Sequence, residues 1–196
     1  MSYSNSISVG SGIKGKNANS TSFPELLSYQ ELLNRFDSVT TLSGSSTLTP
    51  ASLSDSGSLG DTKAYEYSGD ASLESWSSFT GNAVIFIDGD LTINENVTVS
   101  QGSFLGIIAS GDITVNSSVG TVEGFYFTNG DFSTGSSSTQ LLLNGTIVAN
   151  DFNLDRDLGA SNPTTPAEVF SYRPDFAFTA PLELRRPYRH FQEVAP

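Results

Sequence analysis

Asp88, Asp90, Asp112 and Asp131 are the residues whose type and spacing come nearest to a chemistry. They recur in a repeated phrase, so a folded repeat can bring them into one acidic ladder. Oxygen ligands of this kind suit Ca²⁺. The same residues are also ordinary turn formers, and the Gly-Gly-x-Gly-x-Asp pattern of calcium-binding solenoids is absent. They stand as a Ca²⁺ candidate beside the plainer reading as corner residues. No other cofactor is implied.

Catalytic constellations are thin. Carboxylate pairs can cleave glycosidic bonds, but acids are spread along the whole chain and no pair stands out. The single His is His190, and a Ser–His–Asp arrangement would have to use it. There is no Gly-x-Ser-x-Gly elbow. The absence of Cys excludes thiol chemistry and disulfides. Thr92, Thr98 and Thr114 are too few for the flat Thr array of an ice-binding solenoid. Asn19, Asn96, Asn116 and Asn144 stand in Asn-x-Ser/Thr triplets, as chance allows in a chain so rich in these residues. The sequence predicts a protein that is not an enzyme.

The elements that would position these residues lie between 84 and 155. The phrase IDGDLTIN (87–94) returns as ASGDITVN (109–116), TNGDFSTG (128–135) and LNGTIVAN (143–150). Repetition near twenty residues implies stacked coils, each burying its apolar face on its neighbours. Gly at these corners accepts a positive φ. Runs 84–87, 105–108, 124–127 and 141–143 are almost wholly apolar, as in strands covered on both faces. Residues 91–93, 97–99 and 113–115 alternate, as in half-buried strands with Thr facing water. The prediction is an all-β, parallel β-solenoid of about four or five coils. The same Asp-Gly and Asn-Gly pairs mark hairpins, so an antiparallel meander is the competing fold.

Around this body the chain divides by texture. Residues 1–21 are polar, with one strand-like triplet at Ile7 to Val9. Residues 22–38 carry an apolar stripe at Leu26, Tyr29, Leu33 and Phe36 behind Pro24, which predicts an amphipathic helix over 24–37 packed on the solenoid's side or end. Residues 39–80 read as a Ser/Thr-rich connector and an irregular first coil, 81–158 as the solenoid, and 159–196 as an extended tail of aromatic, Arg and Pro residues, with Arg stacked on rings.

Net charge is −12, and residues 1–155 carry all of it. An acidic body disfavours nucleic acid and anionic membranes. No run of eighteen apolar residues is present, so no membrane span is expected. Residues 1–20 lack a secretion signal, so an exported form would come from a longer precursor or have lost its signal.

VIFIDGDLTINENVTV, GIIASGDITV, FNLDRDLG, TTPAEVFSYRPDF and the terminal FQEVAP resemble the C-terminal regions of large bacterial cell-surface, pilin-like β-solenoid proteins. The similarity spans about residues 82–196. It implies an exported structural part that supports adhesion or assembly, with Pro196 as a natural C-terminus. The GDIT-like coils also resemble bactofilins, which are self-polymerising scaffolds. The polar insertions, the helix and the aromatic tail depart from the uniform coils of that family. Expected partners are other proteins, further copies of the chain, or surface glycans, the last through a carbohydrate-binding or carbohydrate-cleaving β-helix domain.

Overall fold

A computed structural model describes residues 27–185. After the short helix α1 (Tyr29–Leu33), the chain alternates longer and shorter strands. The pairs are β1 (Thr40–Thr41) with β2 (Thr47–Leu48), β3 (Lys63–Ser68) with β4 (Ala71–Leu73), and β5 (Asn82–Asp88) with β6 (Leu91–Ile93). They continue with β7 (Phe104–Ala109) and β8 (Ile113–Val115), β9 (Thr121–Thr128) and β10 (Asp131–Ser133), and β11 (Leu141–Val148) and β12 (Asp151–Asn153). Strand β13 (Glu168–Ser171) and helices α2 (Phe176–Thr179) and α3 (Leu182–Arg185) follow.

The odd strands stack in sequence order into one seven-stranded sheet and the even strands into a six-stranded sheet. Every pairing within the two sheets is parallel. This is a parallel β-solenoid, and the antiparallel meander is excluded. From the first strand pair to the sixth the chain makes about five turns.

Alternation sets what each strand buries. In β6 and β8 the outer residues Leu91, Ile93, Ile113 and Val115 point into a core between the sheets, while Thr92 and Thr114 face out. Strands β5 and β7 are apolar at nearly every position because their outer face is covered too. There Phe86 meets Tyr29 and Phe36 edge-on, with ring centroids 5.8 and 5.4 Å apart. Phe104 meets Phe176 of α2 in the same way at 5.5 Å. The helix thus packs on the side of the solenoid, and the C-terminal segment straps the same sheet.

Two boundaries differ from the sequence reading. The helix is shorter than 24–37 within the described residues. Its N-cap is Ser28, closed by a capping box with Glu31, and Phe36 packs from beyond its end. The expected start at Ser22 and Pro24, like the segment 1–21 and the tail beyond Arg185 with His190, lies outside the described residues. The solenoid also begins earlier than residue 81. The Ser/Thr-rich stretch 39–60 supplies β1 and β2, and 61–80 supplies β3 and β4. Trp76 sits fully buried between them and donates its indole N–H to the Leu48 carbonyl at 2.8 Å.

Candidate functional site

The Gly-Asp corners form the ladder that their spacing suggested, with one member gained and one misplaced. Asp70 Oδ1 accepts the backbone N–H of Asp90 at 2.9 Å. Asp90 Oδ1 accepts that of Asp112, and Asp112 Oδ1 that of Asp131, each at 2.8 Å. Partners are 20, 22 and 19 residues apart. Asp88 is not in this ladder; its Oδ1 accepts the Ser110 hydroxyl at 3.1 Å. Asp70 was legible, because Gly69-Asp70 is the same dipeptide one turn earlier.

At Gly89, Gly111 and Gly130 the corner Gly is required for space and not for a positive φ, whereas Gly69 at the first corner has a φ of 110° and open space around it. A Cβ on Gly111 would lie 2.0 Å from Asp90 Oδ1, and one on Gly130 would lie 2.1 Å from Asp112 Oδ1. Neither these two nor Gly89 has a positive φ. Each carboxylate therefore reaches over the Gly of the next turn to its own hydrogen bond. The phrase at 143–150 is out of register. Gly145 lies inside β11, paired with Gly124 of β9, and both have positive φ, 144° and 145°. The real corner of that turn is Asn150-Asp151, where the Asn150 N–H reaches the Gly130 carbonyl at 2.9 Å.

The ladder carboxylates spend hydrogen-bonding capacity on backbone N–H groups. Among the described residues no three His, Cys, Asp or Glu side chains come together to hold a metal ion. Outside the ladder, the short-strand sheet presents a hydroxyl column. Thr47, Ser72, Thr92, Thr114 and Ser133 are aligned by register, at about 4.8 Å per turn. Asn94 and Asn116 flank it and touch at 3.5 Å. Thr98 lies elsewhere, accepting the Ser78 N–H at 2.6 Å.

Two arginines fix the later turns. Arg156 is 6% exposed, and its guanidinium donates to five backbone carbonyls: Thr134, Ser117, Val119, Thr139 and Asn116. Burial lowers its pKa from the usual guanidinium value. Arg173 ties the strap to the body. It pairs with Glu123 at 3.0 Å and Asp175 at 2.6 Å, donates to the Val99 carbonyl, and lies 4.5 Å over the Phe176 ring. The hydrogen bond from Arg173 holds the Asp175 carboxyl below the usual range. Arg173 thus packs on a ring as expected of the tail's arginines, while Arg185 donates to the Ala180 and Phe178 carbonyls. The Glu123 and Asp175 carboxylates are thus both engaged by one cation.

The cavities are shallow. One of about 330 Å³ lies among Phe36, Gly60, Ala180 and Arg185. Another, of about 250 Å³, opens at the last turn among Tyr126, Gly145, Ile147, Phe170 and Tyr172. Among the described residues no helix is long and apolar enough to cross a membrane. No family model, curated protein or solved structure matches this chain.

Proposed function

We propose that the chain is a structural module of a bacterial surface or appendage protein, a stiff spacer that supports adhesion or assembly without catalysis. The observation that supports this reading is continuity along the stack. Backbone ladders, core columns and the Asp70–Asp90–Asp112–Asp131 chain all join one turn to the next. A stack held this way acts as a rod whose faces, more than any cavity, meet partners. The low content of charged residues, 15%, and the resemblance of residues 82–196 to bacterial surface proteins point the same way.

Antibody labelling of intact and lysed cells of the source organism tests the proposal. The reading predicts labelling of intact cells that is lost after brief external protease treatment. Labelling only after lysis would overturn it.

A further inference from the structure

Two Asn-Gly dipeptides occur in the chain, Asn129-Gly130 and Asn144-Gly145. In this dipeptide the backbone nitrogen of Gly can attack the side-chain amide carbon of Asn, since no Cβ on the second residue hinders the approach. The attack closes a succinimide ring. Identical dipeptides close alike in an unfolded chain, so a difference between them belongs to the fold.

The fold treats them differently. Asn144 lies inside β11, paired with Glu123 of β9 on one side and Ser171 of β13 on the other. Bringing the Gly145 nitrogen onto the Asn144 amide carbon turns the backbone out of its extended form and breaks both pairings. The Asn144 amide also donates to a Glu123 carboxylate oxygen at 3.1 Å. A carboxylate there opposes the negative charge that the attack places on Asn144 Oδ1. Asn129 stands exposed at the corner between β9 and β10, outside both strands. The Gly130 N–H donates to the Thr128 hydroxyl at 2.9 Å, one local hydrogen bond that opens for the attack. Asn129 Oδ1 accepts the backbone N–H of Tyr29 at 2.7 Å, from a residue 100 positions earlier. That donor sits at the atom on which charge develops when Cγ is attacked, which is how a fixed N–H stabilises an oxyanion. The same bond clasps the start of α1 onto the solenoid.

We propose that Asn129 is a self-modifying residue: in the folded chain it cyclises with Gly130 in preference to Asn144, assisted by the Tyr29 N–H, and opens to aspartate and isoaspartate. The Gly130 nitrogen bonds to Asn129 Cγ and gives its proton to solvent. The Cγ–Nδ2 bond breaks, and ammonia leaves with a proton from solvent. Water then opens the ring at either carbonyl. Opening at the Asn129 main-chain carbonyl leaves isoaspartate, whose backbone runs through the former side chain. The oxygen that held Tyr29 then becomes a peptide carbonyl, and the corner gains a main-chain carbon. The proposal stands apart from the reading of the chain as a surface module.

The test incubates the full chain at mildly alkaline pH, folded and in denaturant, and follows both Asn residues by tandem mass spectrometry of peptides. The expected result is conversion of Asn129 well ahead of Asn144 in the folded chain and equal rates in denaturant. Equal rates in the folded chain, or faster conversion of Asn144, would overturn the proposal. So would a difference that persists in denaturant, because it would belong to the sequence alone. Two variants isolate the donor. Tyr29→Pro removes the N–H at a first helical position, where Pro is tolerated and the preceding Ser28 is already extended. Tyr29→Ala loses the same ring but keeps the N–H, and NMR shifts of residues 30–33 check that α1 persists in both. Asn129 should convert about tenfold more slowly in Tyr29→Pro than in Tyr29→Ala, the scale of one hydrogen bond to a charged group. Equal rates, or a faster rate in Tyr29→Pro, would overturn the assistance by Tyr29.

Discussion

Single residues decide whether turns can stack. Gly111 is hydrogen where any other residue has a carbon, and Asp90 uses that space to reach the Asp112 N–H. Gly111→Ala is expected to cost about 1–3 kcal/mol in denaturant unfolding, the range for overpacking a tight site. Combining it with Asp90→Ala should cost less than the two changes summed, with a coupling of about 0.5–3 kcal/mol. Strict additivity would show that the close approach is not the reason for the Gly. Arg156 matters by what it satisfies. Arg156→Met leaves five carbonyls facing an apolar side chain, and a loss of at least about 1–3 kcal/mol is expected, the usual cost of leaving a buried acceptor unpaired. Arg156→Lys should fall between, because an ammonium cannot match the planar fork. At this scale the Gly-Asp dipeptides were legible from their repetition. Arg156 was not, because nothing local marks an Arg whose acceptors lie 17 to 40 residues away.

Elements show where sequence pattern carries information and where it does not. The long strands β5 and β7 announced themselves as apolar runs, and the reason is visible in α1 and α2 lying across their outer face. Strands β1 and β2, two residues each, are too short to show any alternation, so the first turn read as a connector. Asn144-Gly145 misled for a different reason. It has turn chemistry but serves as a glycine-on-glycine contact inside paired strands, where a Cβ on Gly145 would strike the Gly124 carbonyl. The strap depends on an ion pair. The Asp175 pKa is depressed in the folded state by Arg173, with Glu123 on the same guanidinium. Its stabilising contribution is therefore complete above the ordinary carboxylate pKa of about 4 and is lost as pH falls through the lower folded value. Hydrogen exchange of residues 172–185 is expected to quicken on acidification before that of β5 to β8, and Asp175→Asn should remove that selectivity. Trp76→Phe is expected to cost about 1–3 kcal/mol, since it leaves the buried Leu48 carbonyl without its donor.

The whole molecule is a one-dimensional stack with unequal ends. At the first end Leu48 and Trp76 close the core. At the other, β12 and half of β11 have no further strand beside them among the described residues, and Phe152 and Phe170 are half-exposed. In such stacks stability is a sum over turns and their contacts, so the open end should loosen first. Residue-resolved amide hydrogen exchange by NMR tests this account most directly. It predicts slow exchange at consecutive amides of β5 and of residues 106–109 in β7, which are paired on both sides. Across residues 145–148 it predicts alternation, with amides aimed at β9 slow and those aimed outward fast. Uniformly slow exchange across 145–148, or fast exchange at every second amide of β5, would contradict it.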